Sequence, residues 1–571
     1  MSPFLQTPPV LPDAWRSDDA LREALAWRLG EDVYRSAAPQ LAAMGEAATR
    51  PGTLALALRA EQEPPVHVPY ATWGERIDDI RVSDAYLQLG ALGVRAGVTA
   101  LPYEESDLGA SARVVWGALI ALWGPSSALY SCPVAMTDAA ARTLLVHGGP
   151  DDVPVVERLV SRDPERAWTS GQWMTETSGG SDVGGTETVA RRDADGAWRL
   201  HGTKWFTSAT TSEIALTLAR PEGAHEGSAG LALFRVHRRD SGGRPNGIVV
   251  RRLKDKLGTR ALPTAELELA GALAWPVGDP SEGGGLRRIA TMLNLTRIHN
   301  ALNAAGALAR GLAWARAYAA VRMVGGRPLA SLPAHRATLA DLAVDYAATL
   351  ALVLKCCDLT GRAEHGIATE DELRMLRGLT PVTKLATARW AVAGTAEAME
   401  ALGGVGYCED SGLPALVRNT HVMPIWEGTT NVLALDLRRA IARSGALDAL
   451  LDDVTEGLAD LRDDPAVAAS VAETLRAAGV IRAAADSGEE GARDLALAVA
   501  RTVACAELCR QGAWSARRGR GRTAAAAARL AARGLGPGAR HDEATLGLAD
   551  WGPDEAAGAP EASFHASEAG T

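Results

Sequence analysis

Glu427 is one residue of this 571-residue chain that could move a proton. It follows Ile425 and Trp426 and precedes Gly428, Thr429, Thr430 and Asn431. A carboxylate held beside an indole, where glycine lets a ligand approach the backbone, fits a general base. Thr429 or Thr430 can cap the helix that VLALDLRRAI predicts, so Glu427 also fits the simpler role of complementing a helix N-terminus. Upstream, Leu402-Gly403-Gly404-Val405-Gly406-Tyr407 stops a helix and reverses the chain, and Arg418 follows.

Two other clusters suit a planar, polar ligand. Gln172 to Val183 reads QWMTETSGGSDV. Its glycine pair permits close backbone approach, and Thr175 and Ser181 offer short hydroxyls. A polar interdomain loop has the same composition. Gly202 to Ser208 reads GTKWFTS, with Trp205 and Phe206 able to cover the face and edge of a heterocycle. An ordinary hairpin strand with core aromatics would read the same way.

The elements that must position these clusters fall into four textures and a tail. Residues 1–165 read as mainly helical after a Pro-rich entry, with Asp18-Asp19 at a helix start. Residues 166–285 carry short β-rich runs such as IALTLA, GLALFRV and AELELA, and DADGAW is a turn signal. They predict a compact β domain, a barrel or sandwich. Residues 286–445 carry long amphipathic patterns, beginning at Arg287, Leu332, Asp371 and near Thr429, which predict a four-helix bundle. Residues 446–540 predict an extra helical domain, and 541–571 an acidic, disordered tail. The whole is a multidomain α+β chain.

Composition narrows the class. The net charge of −10 disfavours a generally basic nucleic-acid or membrane-surface protein. Only five of the 59 basic residues are Lys, and only four residues are Phe; Lys204 and Phe206 both fall in the GTKWFTS cluster. The six Cys form no CxxC and no His stands beside them at zinc spacing, so no metal is expected. A reduced, cytoplasmic setting is expected, without a signal peptide or membrane span.

Together, the order and spacing of these clusters resemble the acyl-CoA dehydrogenase family over roughly residues 75–445. TETSGGSD resembles the family's flavin loop, KWFTSA its flavin strand, and LGGVGY, Arg418 and WEGTTN its base segment. Within the family the chain is most similar to the AidB-like branch, through EQEPPVHVPYATWGERIDDI, SCPVAMTDAAARTL and KDKLGTRALPTAELELAGA. The resemblance implies a helical N-terminal domain, a central β-barrel, a four-helix bundle and an extra C-terminal helical domain. It implies FAD and α,β-dehydrogenation of an acyl-CoA or related acyl thioester to a trans-2-enoyl product, with Glu427 taking the α-proton. Met174, Thr175, Gly180, Ser181, Trp205, Phe206, Thr207, Arg322, Thr429 and Asn431 match cofactor-contacting positions. Arg297, Trp426 and Gly428 match positions lining the active site. It also implies a homotetramer; the electron acceptor stays open. Gly325 departs from the family's aromatic after Arg322, which affects an inter-subunit cofactor contact.

The AidB-like branch brings two alternatives: a flavoprotein on double-stranded DNA in the alkylation response, and a specialised-metabolism enzyme on an unusual acyl thioester. Residues 501–540 hold nine Arg, one Glu and no Asp, centred on Arg517, Arg518, Arg520 and Arg522. Arginines can pair phosphates. Because nearly every basic residue in the chain is Arg, a solvated helix face is the favoured reading, and DNA is disfavoured.

Overall fold

The computed structural model describes residues 7–485, 488–538 and 543–549. The chain opens with helices α1 (Asp19–Thr49) and α2 (Pro51–Gln62), strands β1 (Val66–Tyr70) and β2 (Arg76–Arg81), and helices α3 (Asp84–Ala96), α4 (Ala112–Trp123), α5 (Ser131–His147) and α6 (Val153–Leu159). The Asp18 side chain caps α1 by accepting from the Leu21 N–H, as the acidic pair predicts. The β1–β2 hairpin is an addition to the mainly helical texture expected there. Arg76 donates from it to the Val250 carbonyl, docking it on the β domain.

That domain is a closed barrel. Its strands are β3 (Ser170–Trp173), β4 (Val189–Arg192), β5 (Trp198–Ser208), β6 (Ile214–Pro221), β7 (Ala232–His237), β8 (Ile248–Leu253) and β9 (Thr264–Pro276). They run in the order β3-β6-β4-β5-β9-β7, and β6 also pairs with β7, closing the ring; β8 lies on β9. DADGAW is the β4–β5 turn, with Arg192 opposite Trp198. Closure leaves an interior of alternating small and branched residues, including Ala190, Leu200, Phe234, Val236 and Leu267, all buried.

Helices α7 (Gly285–Val321), α8 (Pro333–Glu364), α9 (Glu370–Ala401), α10 (Leu413–Thr420) and α11 (Thr430–Ser444) form the bundle. Between α7 and α8 stands the short hairpin β10 (Met323–Val324) and β11 (Arg327–Pro328). Gly325 and Gly326 are its two turn residues, with φ +56° and +77°. A two-residue hairpin turn of that hand favours glycine, so Gly325 has a local backbone reason.

Helices α12 (Ala446–Gly457), α13 (Ala468–Ala483), α14 (Ala492–Ala516) and α15 (Arg522–Ala532) follow. They share a continuous core with α1, α4 and the bundle, running through Leu25, Trp116, Leu302, Leu352, Val382, Val499 and Leu508. Buried ion pairs add to this joint: Glu507 of α14 meets Lys355 of α8 at 2.9 Å, and Arg28 of α1. Residues from 550 onward, where most of the acidic tail was expected, lie outside the described residues.

Among the described residues one helix, α8, is long and apolar enough to cross a membrane by composition. Over half of its apolar window is buried in the protein, and Asp341, Asp345 and Lys355 of the helix pair with Arg529, Arg533 and Asp453. A core helix of a bundle has the same composition.

Candidate functional site

The Glu427 turn lies between α10 and α11 and is bent against its own preference. Glu427 has φ +57° and Gly428 φ +98°. A left-handed conformation costs a non-glycine residue about 1–2 kcal/mol, so neighbours must hold it. Two cations do so. Lys384 Nζ, from α9, donates to the Gly428 carbonyl at 2.6 Å, and Arg297 Nε, from α7, donates to the Glu427 carbonyl at 3.3 Å. Arg297 is fixed in turn by Asp436 at 2.8 Å, which Arg377 also holds at 2.6 Å. Trp426 Nε1 donates to Asn300 Oδ1 one helical turn along α7.

The Glu427 carboxylate has its own donors. Thr296 Oγ1 donates to Oε2 at 2.6 Å, and Gln172 Nε2 approaches Oε1 at 3.3 Å and Oε2 at 3.4 Å. The Glu427 backbone N–H makes no hydrogen bond to another described residue, leaving it available to an acceptor. The surroundings are dry enough to shift neighbouring groups. Burial brings the Lys384 ammonium down to about 7, opposed by the charge of Glu427 and reinforced by Arg297. Burial, helped by Glu427, pushes the Cys132 thiol up to about 12.

Gln172 is the joint between this turn and the barrel. It lies on β3, two residues before Met174, where QWMTETSGGSD leaves the sheet. That loop is tied from beneath. Glu176, 3% exposed, meets the fully buried Lys204 of β5 at 2.6 Å. The Glu187 N–H donates to Glu176 at 2.6 Å and the Thr188 hydroxyl at 2.5 Å, while Lys204 also donates to the Leu218 carbonyl at 3.1 Å. Burial opposes charge on both partners; the ion pair keeps Glu176 below the usual carboxylate range, while Lys204 stays below its usual range. Above the clamp, Thr177 to Asp182 are exposed and Met174 and Thr175 half-buried.

A bulge in β5 sets the aromatic wall. Lys204 faces Leu267 and Thr207 faces Ala265, so β5 carries one residue more than β9 across this span. The extra residue breaks alternation. Lys204 and Thr207 both point inward, while Trp205 is half-buried and Phe206 is 57% exposed. Lys254 Nζ sits 3.7 Å from the Trp205 ring centre and 4.7 Å from that of Phe206. A Cβ on Gly180 would come within 2.7 Å of Thr175 Oγ1, so only glycine lets the loop fold this closely. The exposed loop backbone, free hydroxyls and aromatic wall suit a planar, polar cofactor.

Of the remaining sequence candidates, Thr207 spends its hydroxyl on the Ala265 carbonyl at 2.7 Å. Thr429 and Asn431 are exposed at the start of α11, and Arg322 is half-buried where α7 ends. The four candidate DNA-contacting arginines all have local company. Arg517 reaches Asp464 at 3.3 Å and Arg522 reaches Asp19 at 3.2 Å. Arg518 stacks 4.0 Å from the Trp514 ring centre, and Arg520 lies 4.0 Å from Glu23. Sequence reasoning assigned no role to Gln172, Thr296, Asn300 or Lys384. Only Lys384 carried a signal, being one of five lysines.

A cavity of about 530 Å³ begins one turn beyond Asn300, at Asn303 and Met423, and runs between α2, α7 and α10. Ala128 and Leu129, both left-handed at φ +46° and +62°, line it.

Three family models match the chain: the acyl-CoA dehydrogenase C-terminal domain over residues 283–442, its middle domain over 171–272, and the adaptive response protein AidB N-terminal domain over 6–163. Acyl-CoA dehydrogenase family member 11 of Caenorhabditis elegans is 43% identical over 448 residues, covering 77% of this chain and 72% of its own. The crystal structure of that organism's ACDH-11 in complex with C11-CoA superposes with a TM-score of 0.88 at 38% identity, covering 95% of this chain and 94% of that one. The putative acyl-CoA dehydrogenase AidB of Escherichia coli K12 is 34% identical over 422 residues, 72% of this chain and 76% of its own. An acyl-CoA dehydrogenase of Bacillus anthracis, solved with FAD, shares the fold with a TM-score of 0.69 at 15% identity, over 93% of this chain and 90% of that one.

Proposed function

This chain belongs to the acyl-CoA dehydrogenase family, and from that premise we propose an FAD-dependent enzyme that oxidises the α,β-bond of an acyl-CoA thioester, with Glu427 as its base. The observation that carries the proposal is the strained Glu427 turn, held by α7, α9 and β3, with its carboxylate on Thr296 and Gln172 and its backbone N–H unbonded among the described residues.

The α-carbon of a thioester is a weak acid, so its proton leaves only if the developing enolate is stabilised. The open Glu427 N–H is the chain's donor to the thioester oxygen. The Glu427 carboxylate takes the α-proton, and Thr296 and Gln172 keep it aimed between bundle and barrel. Met174, Thr175, Gly180, Ser181, Trp205 and Phe206 would hold FAD, with Thr429, Asn431 and Arg322 as outer contacts. When bound, FAD supplies the two-electron acceptor that lets the β-hydrogen leave. Trp426, pinned by Asn300, closes one side of the acyl group's entrance.

C11-CoA in the Caenorhabditis elegans relative supports a medium or long acyl group here. The test is chemical. Purified protein should carry a flavin spectrum, and anaerobic mixing with saturated acyl-CoAs should bleach it while yielding one trans-2-enoyl-CoA per flavin. A colourless protein that FAD cannot reconstitute would overturn the reading.

A further inference from the structure

Arg310 is a buried cation that no carboxylate among the described residues neutralises. It lies on α7, is 8% exposed, and lines both the 530 Å³ cavity and a second cavity of about 380 Å³ beside α1. Its side-chain hydrogen bond goes to a neutral group, Ser126 Oγ, at 2.8 Å. The carboxylates that line the two cavities, Glu61, Asp410 and Asp18, make no ion pair with it, and Glu61 and Asp18 have other company. Asn419 donates to Glu61, and Asp18 holds the Leu21 N–H and the Tyr346 hydroxyl. Buried charges in proteins are normally paired. Of the other strongly buried cations, Arg113 has Asp138 and Glu364, Lys204 has Glu176, and Arg235 has Asp152, while Lys384 departs from the rule by donating to the Gly428 carbonyl.

The rest of the first cavity is largely apolar, with Leu54, Leu58, Leu129, Ala307, Leu402 and Met423 on its wall. A largely apolar cavity with one unpaired cation fits a ligand that is apolar along its length and anionic at its end. Position along α7 sets the length. Thr296, which touches the Glu427 carboxylate, and Arg310 are 14 residues apart, about 21 Å at 1.5 Å per residue. The arginine side chain leans back toward the helix N-terminus, which shortens the span. With carbon–carbon bonds of about 1.5 Å in a zigzag, the gap takes roughly 12 to 16 carbons.

We propose that this enzyme recognises acyl thioesters that carry a second carboxylate at the far end of the chain, and that Arg310 is the residue that binds it. The inference rests on Glu427 marking the thioester end.

The test uses FAD-loaded enzyme and acyl-CoAs of 12, 14 and 16 carbons, each with a methyl or a carboxylate terminus. Wild type should prefer the carboxylate-ended compound of the best length by about tenfold or more in kcat/KM, as expected for a charge-assisted contact in an apolar site. Arg310→Met should reverse the preference through KM, and Arg310→Lys should retain part of it. Calorimetric titration of wild-type protein with dodecanedioate and the uncharged 1,12-dodecanediol gives a second readout that needs no turnover. The diacid should bind about tenfold tighter. Equal kcat/KM and equal binding for both termini in wild type would mean that water alone solvates Arg310. That result would overturn this inference and leave the dehydrogenase reading standing. Bleaching by no acyl-CoA, with tight diacid binding retained, would overturn the dehydrogenase reading instead.

Discussion

Two buried lysines hold the two halves of the site, and they do it differently. Lys204, in the barrel, faces a carboxylate, and the pair is closed on itself by Thr188, Glu187 and Leu218. Lys384, in the bundle, faces only a backbone carbonyl, and its ammonium sits near pH 7 as a result. The first arrangement makes a floor under an exposed loop, with each charge met by its opposite. The second holds a strained turn while leaving a titratable charge beside Glu427. A cofactor cradle needs the former; a proton-transfer segment can use the latter.

The largest effect should come from breaking the floor. Lys204→Met leaves Glu176 buried without a counter-charge, which costs about 3–5 kcal/mol. Urea unfolding should show that loss, and the purified protein should be depleted of FAD. Adding Glu176→Leu should recover much of the stability, because removing both charges is far cheaper than removing one. A single variant as stable as wild type would show that the pair is not the floor.

Next comes the aim of the base. Thr296→Val removes the 2.6 Å bond to the Glu427 carboxylate and keeps the shape of the side chain. A hydrogen bond to a charged group is worth about 1.5–3 kcal/mol, so kcat/KM should fall roughly 10- to 100-fold with FAD content unchanged.

A smaller and more specific effect is expected at Lys384. Folded Lys384 loses its proton near pH 7, whereas an unfolded lysine keeps it to its ordinary 10.5. Between these values the unfolded chain binds more protons, so stability rises with pH, and below pH 7 the cost of the buried charge is fully present. Lys384→Met should flatten that rise in pH-dependent unfolding. It should also remove an inflection near pH 7 from the kcat/KM profile. The same inflection in the variant would assign it to another group.

The smallest effect is expected far from both lysines. Replacing Arg517, Arg518, Arg520 and Arg522 by Ala should leave flavin reduction unchanged. It should also leave unchanged the salt dependence of any retention on double-stranded DNA, since three of them already lie by acids and the fourth on Trp514. A shallower salt slope would establish a phosphate-binding face there.

The order of elements was legible because periodicity is local: the β4–β5 turn, the barrel runs and the long bundle helices all announce themselves in sequence. So were Glu427, Gly180, Trp205 and Phe206, whose motifs are contiguous. The supports were not. Gln172, Thr296, Asn300 and Lys384 lie 44 to 255 residues from the residues they hold, and a lone Thr or Gln has no pattern. The β1–β2 hairpin hid within a helical region because its docking partner, Val250, lies 174 residues from Arg76. The shared core of α14 with the bundle was equally invisible, since it depends on which helix faces meet.

Glu427→Gln decides the assignment of the base. It keeps the size of the side chain and removes the proton acceptor. Stopped-flow mixing of the FAD-loaded variant with the best acyl-CoA, without oxygen, should show binding comparable to wild type and flavin bleaching slowed by about 100- to 10,000-fold. Bleaching at the wild-type rate would contradict the account and place the base elsewhere.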